Sequence, residues 1–152
     1  MKEAYGGIVN IVFITLFLII VMGLLGFTVS YTKAFKMKNA IIKTIEEYEG
    51  SGCYPESPLS PAGTSTQSEC RNSIKEKAKR FAFNPPQLKC HGENEYMSSD
   101  GLYCYSIEKI SKDRMIITVI TQADMSFPIL EEIMGFRFLQ VKGETKVLHI
   151  QS

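Results

Sequence analysis

Residues that commonly carry chemistry are scarce in this chain. Its 152 residues include two histidines, His91 beside a cysteine and His149 near the C-terminal end. No serine or cysteine sits in a nucleophile-elbow pattern. The sequence therefore predicts no enzyme, no cofactor and no small-molecule substrate. An excess of charge is missing too: 17 Lys and Arg against 16 Asp and Glu leave a formal net charge of +1, which argues against a nucleic-acid partner. No proline precedes Pro55, and no two cysteines form a C-x-x-C pair. The most consequential absence is local, because residues 4–32 hold no charged side chain at all.

What fills that gap is an apolar run from Ile8 to Tyr31, long enough to cross a hydrocarbon layer of about 30 Å at about 1.5 Å per helical residue. A cleaved secretory signal has a shorter apolar core, of about 7 to 15 residues, and a small-x-small site. The Thr-Val-Ser-Tyr-Thr-Lys end of this run matches neither feature. Backbone groups in lipid must be bonded within the segment, so the run is predicted to be one transmembrane helix. Beyond it Ala34, Met37, Ile41, Ile45 and Tyr48 recur at intervals of three and four, the spacing of one apolar stripe on a helix. Glycine in Glu49-Gly50-Ser51-Gly52 offers a stop. Residues 8–49 thus read as one helix about 60 Å long. The organisation expected is residues 1–31 as N-terminal segment and transmembrane helix, 32–49 as an amphipathic extension, and 50–152 as an α+β domain with cysteine-bearing loops.

Two signals bear on which side of the membrane holds that domain, and they oppose each other. Lys33, Lys36, Lys38 and Lys43 follow the span, which by the positive-inside rule places the domain in the cytoplasm. Cys53, Cys70, Cys90 and Cys104 all lie after the span, an even number in a small loop-rich domain, as disulfides outside the cytoplasm require. Zinc is the rival use of four cysteines, but the gaps are long and irregular; free thiols are the other. Pairing of sequence neighbours, Cys53 with Cys70 and Cys90 with Cys104, closes the shortest loops. The cysteines outweigh the lysines, so the domain is expected to be extracytoplasmic and the chain single-pass in the cell membrane.

Within the domain, residues 50–69 are rich in Gly, Ser, Thr and Pro and read as a loop. Arg71 to Phe83 carries Ile74, Ala78 and Phe81 at helical spacing until Asn84-Pro85-Pro86. Its Lys75, Lys77, Lys79 and Arg80 read as a solvated face, with contact to anionic lipid or polymer as the alternative. From Leu102 the pattern switches to alternation: LYCYSIEKI, a Ser-Lys-Asp turn, then RMIITVITQADM, a hairpin. GFRFLQV and TKVLHI flank Lys142-Gly143-Glu144, which reads as a second turn. The apolar face of this sheet, with Ile107, Ile117, Val119, Phe138 and Val147, needs cover, and the stripe Met37, Ile41, Ile45 and Tyr48 is the obvious partner. Glu93, Glu95 and Asp100 lack the D-x-D-x-D-G spacing of a calcium loop and read as solvated acids.

A long apolar helix continued by an amphipathic one, a cysteine-bearing loop region and a terminal antiparallel sheet resembles the type IV pilin superfamily, in particular TadE-like pilin subunits of Gram-positive bacteria. The stretch from Phe127-Pro128-Ile129-Leu130 through Gly135-Phe136-Arg137-Phe138 to Val141-Lys142-Gly143-Glu144-Thr145 is similar to the terminal strands of such proteins. The resemblance implies processing after Gly6 or Gly7, membrane lipid and like subunits as partners, and helix–helix contact through Asn10, Gly23 and Gly26. Pilins carry a glutamate at the fifth mature position. Cleavage after Gly7 puts Val12 there, and cleavage after Gly6 puts Ile11, so the resemblance implies a minor or accessory subunit of a surface filament or secretion-type assembly. An anchored binding or sensing module that never polymerises is the alternative.

Overall fold

The computed structural model describes residues 2–48, 53, 65–85, 88–90, 92, 94–111, 114–124 and 138–149. The glycine stop at Gly50 and Gly52, the Pro-rich stretch through Gly63, His91, Glu93 and the segment Phe127 to Met134 lie outside the described residues. The order is α1 (Lys2–Glu47), α2 (Ser65–Arg80), β1 (Tyr96–Met97), β2 (Cys104–Ser111), β3 (Arg114–Asp124), β4 (Phe138–Glu144) and β5 (Leu148–His149). This is an α+β arrangement: one long helix packs against a small antiparallel sheet, and a shorter helix packs against the long one.

α1 is unbroken over 46 residues, about 69 Å. It starts six residues before the expected Ile8 and includes Gly6 and Gly7. Its upper half is core: Ala34, Met37, Ile41 and Ile45 are fully buried with Ile117, Val119 and Met115 of β3, and Tyr48 packs on the same cluster half-buried. This is the stripe read from the sequence, and it lies on the sheet. α2 adds Cys70, Ile74 and Ala78, one residue per turn, to the same cluster. Lys77 ties the two helices by donating to Thr44 Oγ1, which itself donates to Ala40 O.

α2 begins at Ser65, inside what the composition marked as loop, because no Gly or Pro occurs between Ser65 and Arg80. It also ends earlier than Asn84-Pro85-Pro86. Phe83 N–H donates to Ala78 O at 2.9 Å and Ala82 N–H to Lys79 O at 3.1 Å, the paired bonds of a Schellman stop. Ala82 takes the left-handed φ of 46° that such a stop needs.

The sheet runs β1-β2-β3-β4. β2 and β3 form the expected hairpin, with Cys104 opposite Ile120 and Tyr105 opposite Val119. The second expected hairpin is absent. Lys142-Gly143-Glu144 is not a turn but the end of β4, with Gly143 opposite Val119, and β5 pairs with β3 rather than with β4. β4 and β5 are two stretches of one path along the same edge of β3, with an extra residue accommodated between them. At that break Thr145 replaces the ladder: its N–H donates to Ile117 O and its Oγ1 accepts from Ile117 N–H. The extra residue changes the alternation of faces. Val147, expected inside, is consequently 43% exposed, whereas Leu148 is buried.

Gly143 has a different reason to be glycine from the one a turn supplies. Positive φ among the described glycines belongs to Gly101. A Cβ on Gly143 would meet Lys38 Cδ at 2.7 Å and Ile42 Cδ1 at 2.9 Å, so its missing side chain lets α1 lie close over β4. Three contacts fix that alignment. Thr121 Oγ1 donates to Ala34 O at 3.1 Å, Lys38 and Ile42 cross Gly143, and Lys146 N–H donates to Glu46 Oε1 at 2.9 Å. The helix from Ala34 to Glu46 and the strand path from Val141 to Lys146 each cover about 17 Å, so helix and strand run lengthwise beside each other. Gly143→Val should push Lys38 and Ile42 aside and destabilise the domain by about 1–3 kcal/mol, read from thermal melts, while Gly143→Ala should cost less because the contacted atoms are flexible chain ends.

The opposite face of β3 has its own cover. Ile120, Cys104 and Leu88 form a second buried cluster flanked by Cys90, and Gln122 Nε2 donates to Lys89 O at 3.0 Å. Residues 88–90 are thus held across the sheet on the side away from α1.

Candidate functional site

The most distinctive feature is the contrast between the two halves of α1. Its N-terminal part is almost wholly exposed, and it is long and apolar enough to cross a membrane. Phe13 and Phe17 are 67% and 65% exposed, and Ile8, Val12, Leu16 and Met22 also leave more than half of their surface open. A water-facing helix cannot carry that much apolar surface. The described residues supply no cover for it.

The residues expected to act within this segment take defined positions. Gly6 and Gly7 lie in the helix, and a Cβ on either would meet nothing within 4 Å. Gly26 is equally open, and Gly23 is buried. Thr15 and Thr28 bond back to Ile11 O and Leu24 O at 2.9 and 2.8 Å, as does Thr32 to Thr28 O, so these hydroxyls are satisfied within the helix. Asn10 is exposed and makes no side-chain hydrogen bond among the described residues. Asn10, Gly6, Gly7 and Gly26 thus lie open on a single rod and meet no partner among the described residues.

In the domain above, two disulfides join the sequence-neighbour pairs. Cys53–Cys70 has a Cα separation of 5.5 Å and Cys90–Cys104 one of 5.8 Å. The first fixes residue 53 to the buried side of α2, and the second anchors residues 88–90 over Ile120. Of the acids singled out in the loops, the two described ones, Glu95 and Asp100, have separate partners. Asp100 pairs with Lys75 at 2.8 Å, while Glu95 accepts from Gly92 N–H at 3.0 Å and from Lys142 at 3.3 Å. Among the described residues no group of three His, Cys, Asp or Glu could hold a metal.

Tyr103 was not marked by the sequence as anything but a strand residue, yet it is 3% exposed. Burial, then the charges of Tyr105 and Asp100, push its phenol well above the usual value, against a smaller lowering by Arg71. The fold therefore holds Tyr103 neutral where an unfolded chain would ionise near pH about 10. Its contribution is intact below that pH and is lost as pH rises through it, because only the unfolded chain gains the ionisation. Denaturant titrations from about pH 9 to 11 should show the wild type losing up to about 1.4 kcal/mol per pH unit more than Tyr103→Phe above pH 10. Parallel pH curves for the two proteins would contradict this.

No family model, curated protein or solved structure matches the chain.

Proposed function

We propose that the chain is a membrane-anchored, pilin-like or pseudopilin-like structural subunit of a surface filament or secretion-type assembly, with its sheet domain outside the cytoplasm. The observation that carries this reading is the double use of α1. Its lower half exposes apolar side chains all round, while its upper half supplies Met37, Ile41 and Ile45 to the centre of the domain. Anchor and core are one rod, as a subunit needs if its helix is to leave lipid for a bundle of identical helices while its head stays folded. Apolar burial of about 25 cal/mol per Å² is retained in that exchange.

Two further features support it. The exposed amide of Asn10 lacks a partner among the described residues, and a neighbouring helix in a low-dielectric bundle would supply one. Gly26 leaves room for close backbone approach. The disulfides support an oxidising location for the head. Val12 or Ile11 at the fifth mature position, where an acid is expected, favours a minor or accessory subunit. The same departure is what supports a second reading, a single-pass binding or sensing module that does not polymerise.

The mass and N-terminus of the mature chain separate the two. Cleavage after Gly6 or Gly7, with recovery in sheared surface fibres, is the result expected of a subunit. An intact Met1 in washed membranes with no fibres would leave the anchored module. Thiol labelling of intact cells, with and without reductant and permeabilisation, tests the side of the membrane: labelling that needs permeabilisation but no reductant would place the head in the cytoplasm.

A further inference from the structure

Resting on the reading of α1 as a membrane anchor, we propose that the groove between α1 and the end of α2 seats the headgroup of an anionic glycerophospholipid. The groove measures about 400 Å³, with Lys33, Lys36 and Arg80 as its charged lining and Val29 and Phe81 as its apolar wall. No acidic side chain lines it among the described residues. It opens where the charge-free stretch ends, since Lys33 is the first ionisable cation after residue 32.

The level of the groove relative to a bilayer follows from the neighbouring aromatics. Phe27, Tyr31 and Phe35 stack up one face of α1, with centroids 6.1 and 6.4 Å apart. Tyrosine concentrates at the boundary between hydrocarbon and headgroups, and Tyr31 is the middle ring of this stack. The groove spans residues 28–36 of the same helix, so it faces the headgroup layer.

The cations around it are available. Further along α1, Lys38 lies over the Phe35 ring at 4.3 Å and Lys43 pairs with Glu47. On α2, Lys75 and Lys77 pair with Asp100 and Glu47. Lys33, Lys36 and Arg80 have no acidic partner among the described residues. Thr28 and Thr32, which also line the groove, spend their hydroxyl protons on their own helix. Recognition therefore falls to the cations.

Three unpaired cations above an apolar wall match a phosphodiester above its glycerol and upper acyl carbons. That wall continues downward into the exposed apolar surface of α1. A choline headgroup would bring its own cation among three others and is disfavoured. Free phosphate matches the cations but leaves the wall wet.

The test uses the full chain reconstituted in phosphatidylcholine vesicles carrying trace spin-labelled phosphatidylglycerol or spin-labelled phosphatidylcholine. The motionally restricted fraction in the spin-resonance spectrum reports association of each lipid. Phosphatidylglycerol should associate more strongly with the wild type. Each of Lys33→Gln, Lys36→Gln and Arg80→Gln should reduce that preference by up to about fivefold, and the triple variant should abolish it. Lys109→Gln, at an exposed lysine of β2, should leave it unchanged. Lys33→Arg, Lys36→Arg and Arg80→Lys keep the charge and should keep the preference, which guards against a misfolded triple variant.

Equal association of the two lipids with the wild type would overturn the proposal, as would a preference that survives triple neutralisation. Displacement of the lipid by inorganic phosphate at equal concentration would overturn it in favour of a free-anion site. Failure of the anchor reading would look different, because the chain would not float with the vesicles at all.

Discussion

Ile41→Asp should unfold the head while leaving the chain in the membrane. Ile41 is fully buried among Met37, Ile45, Ile74, Ile117 and Val119, and a carboxylate there would have neither water nor a cation. Truncating such a side chain costs about 2–5 kcal/mol by lost transfer energy and cavity formation. An unpaired buried charge adds several more. Together these reach the whole stability of a typical domain, about 5–15 kcal/mol. Limited proteolysis in detergent should show rapid loss of the head and survival of the apolar segment, and Ile45→Asp should behave alike. Ile41→Val, at about 1 kcal/mol, should keep a cooperative melt. Wild-type melting of Ile41→Asp would mean that the upper half of α1 is not the centre of the fold.

The next largest effect is expected from the disulfides. They close separations of 17 and 14 residues, for which chain-entropy reasoning gives about 3 kcal/mol each. Removing both by Cys→Ala substitution should therefore lower stability by about 6 kcal/mol, enough to leave the head largely unfolded at growth temperature. The two single removals should differ in place. Without Cys90–Cys104, residues 88–90 lose their tether and Ile120 and Gln122 lose their cover, so hydrogen exchange should quicken at 88–90 and along β2 and β3. Without Cys53–Cys70, the quickening should centre on the first turns of α2. Peptide mapping of non-reduced protein that found Cys53 linked to Cys90 or Cys104 would contradict the pairing.

The parts of this fold that rest on periodicity were legible. Met37, Ile41 and Ile45 announce a buried stripe because three- and four-residue spacing has no other economical cause in a helix. The β2–β3 hairpin announces itself by alternation on both sides of a short polar turn. What was not legible depends on tertiary contact. Lys142-Gly143-Glu144 has the composition of a turn, and only the passage of Lys38 and Ile42 overhead explains a glycine inside a strand. Val147 was misplaced because an extra residue between β4 and β5 reverses the alternation, and nothing local marks it. Ser65 to Glu69 read as loop by its polar residues, although the absence of Gly and Pro was the stronger physical signal. The groove was invisible for another reason. Lys33 and Lys36 registered as a topology signal and Arg80 as a solvated face first and an anionic contact second, and only the packing of α2 beside α1 puts the three together.

The lengthwise alignment of α1 with β4 has a mechanical consequence. A pull along the helix axis, such as extraction of the rod from lipid, does not peel contacts away one at a time. It loads the bond from Thr121 to Ala34, the side chains crossing Gly143 and the bond from Lys146 to Glu46 in parallel. Rupture then requires sliding a whole seam in shear, so the head should resist axial traction far better than a sideways force that opens the same seam from one end.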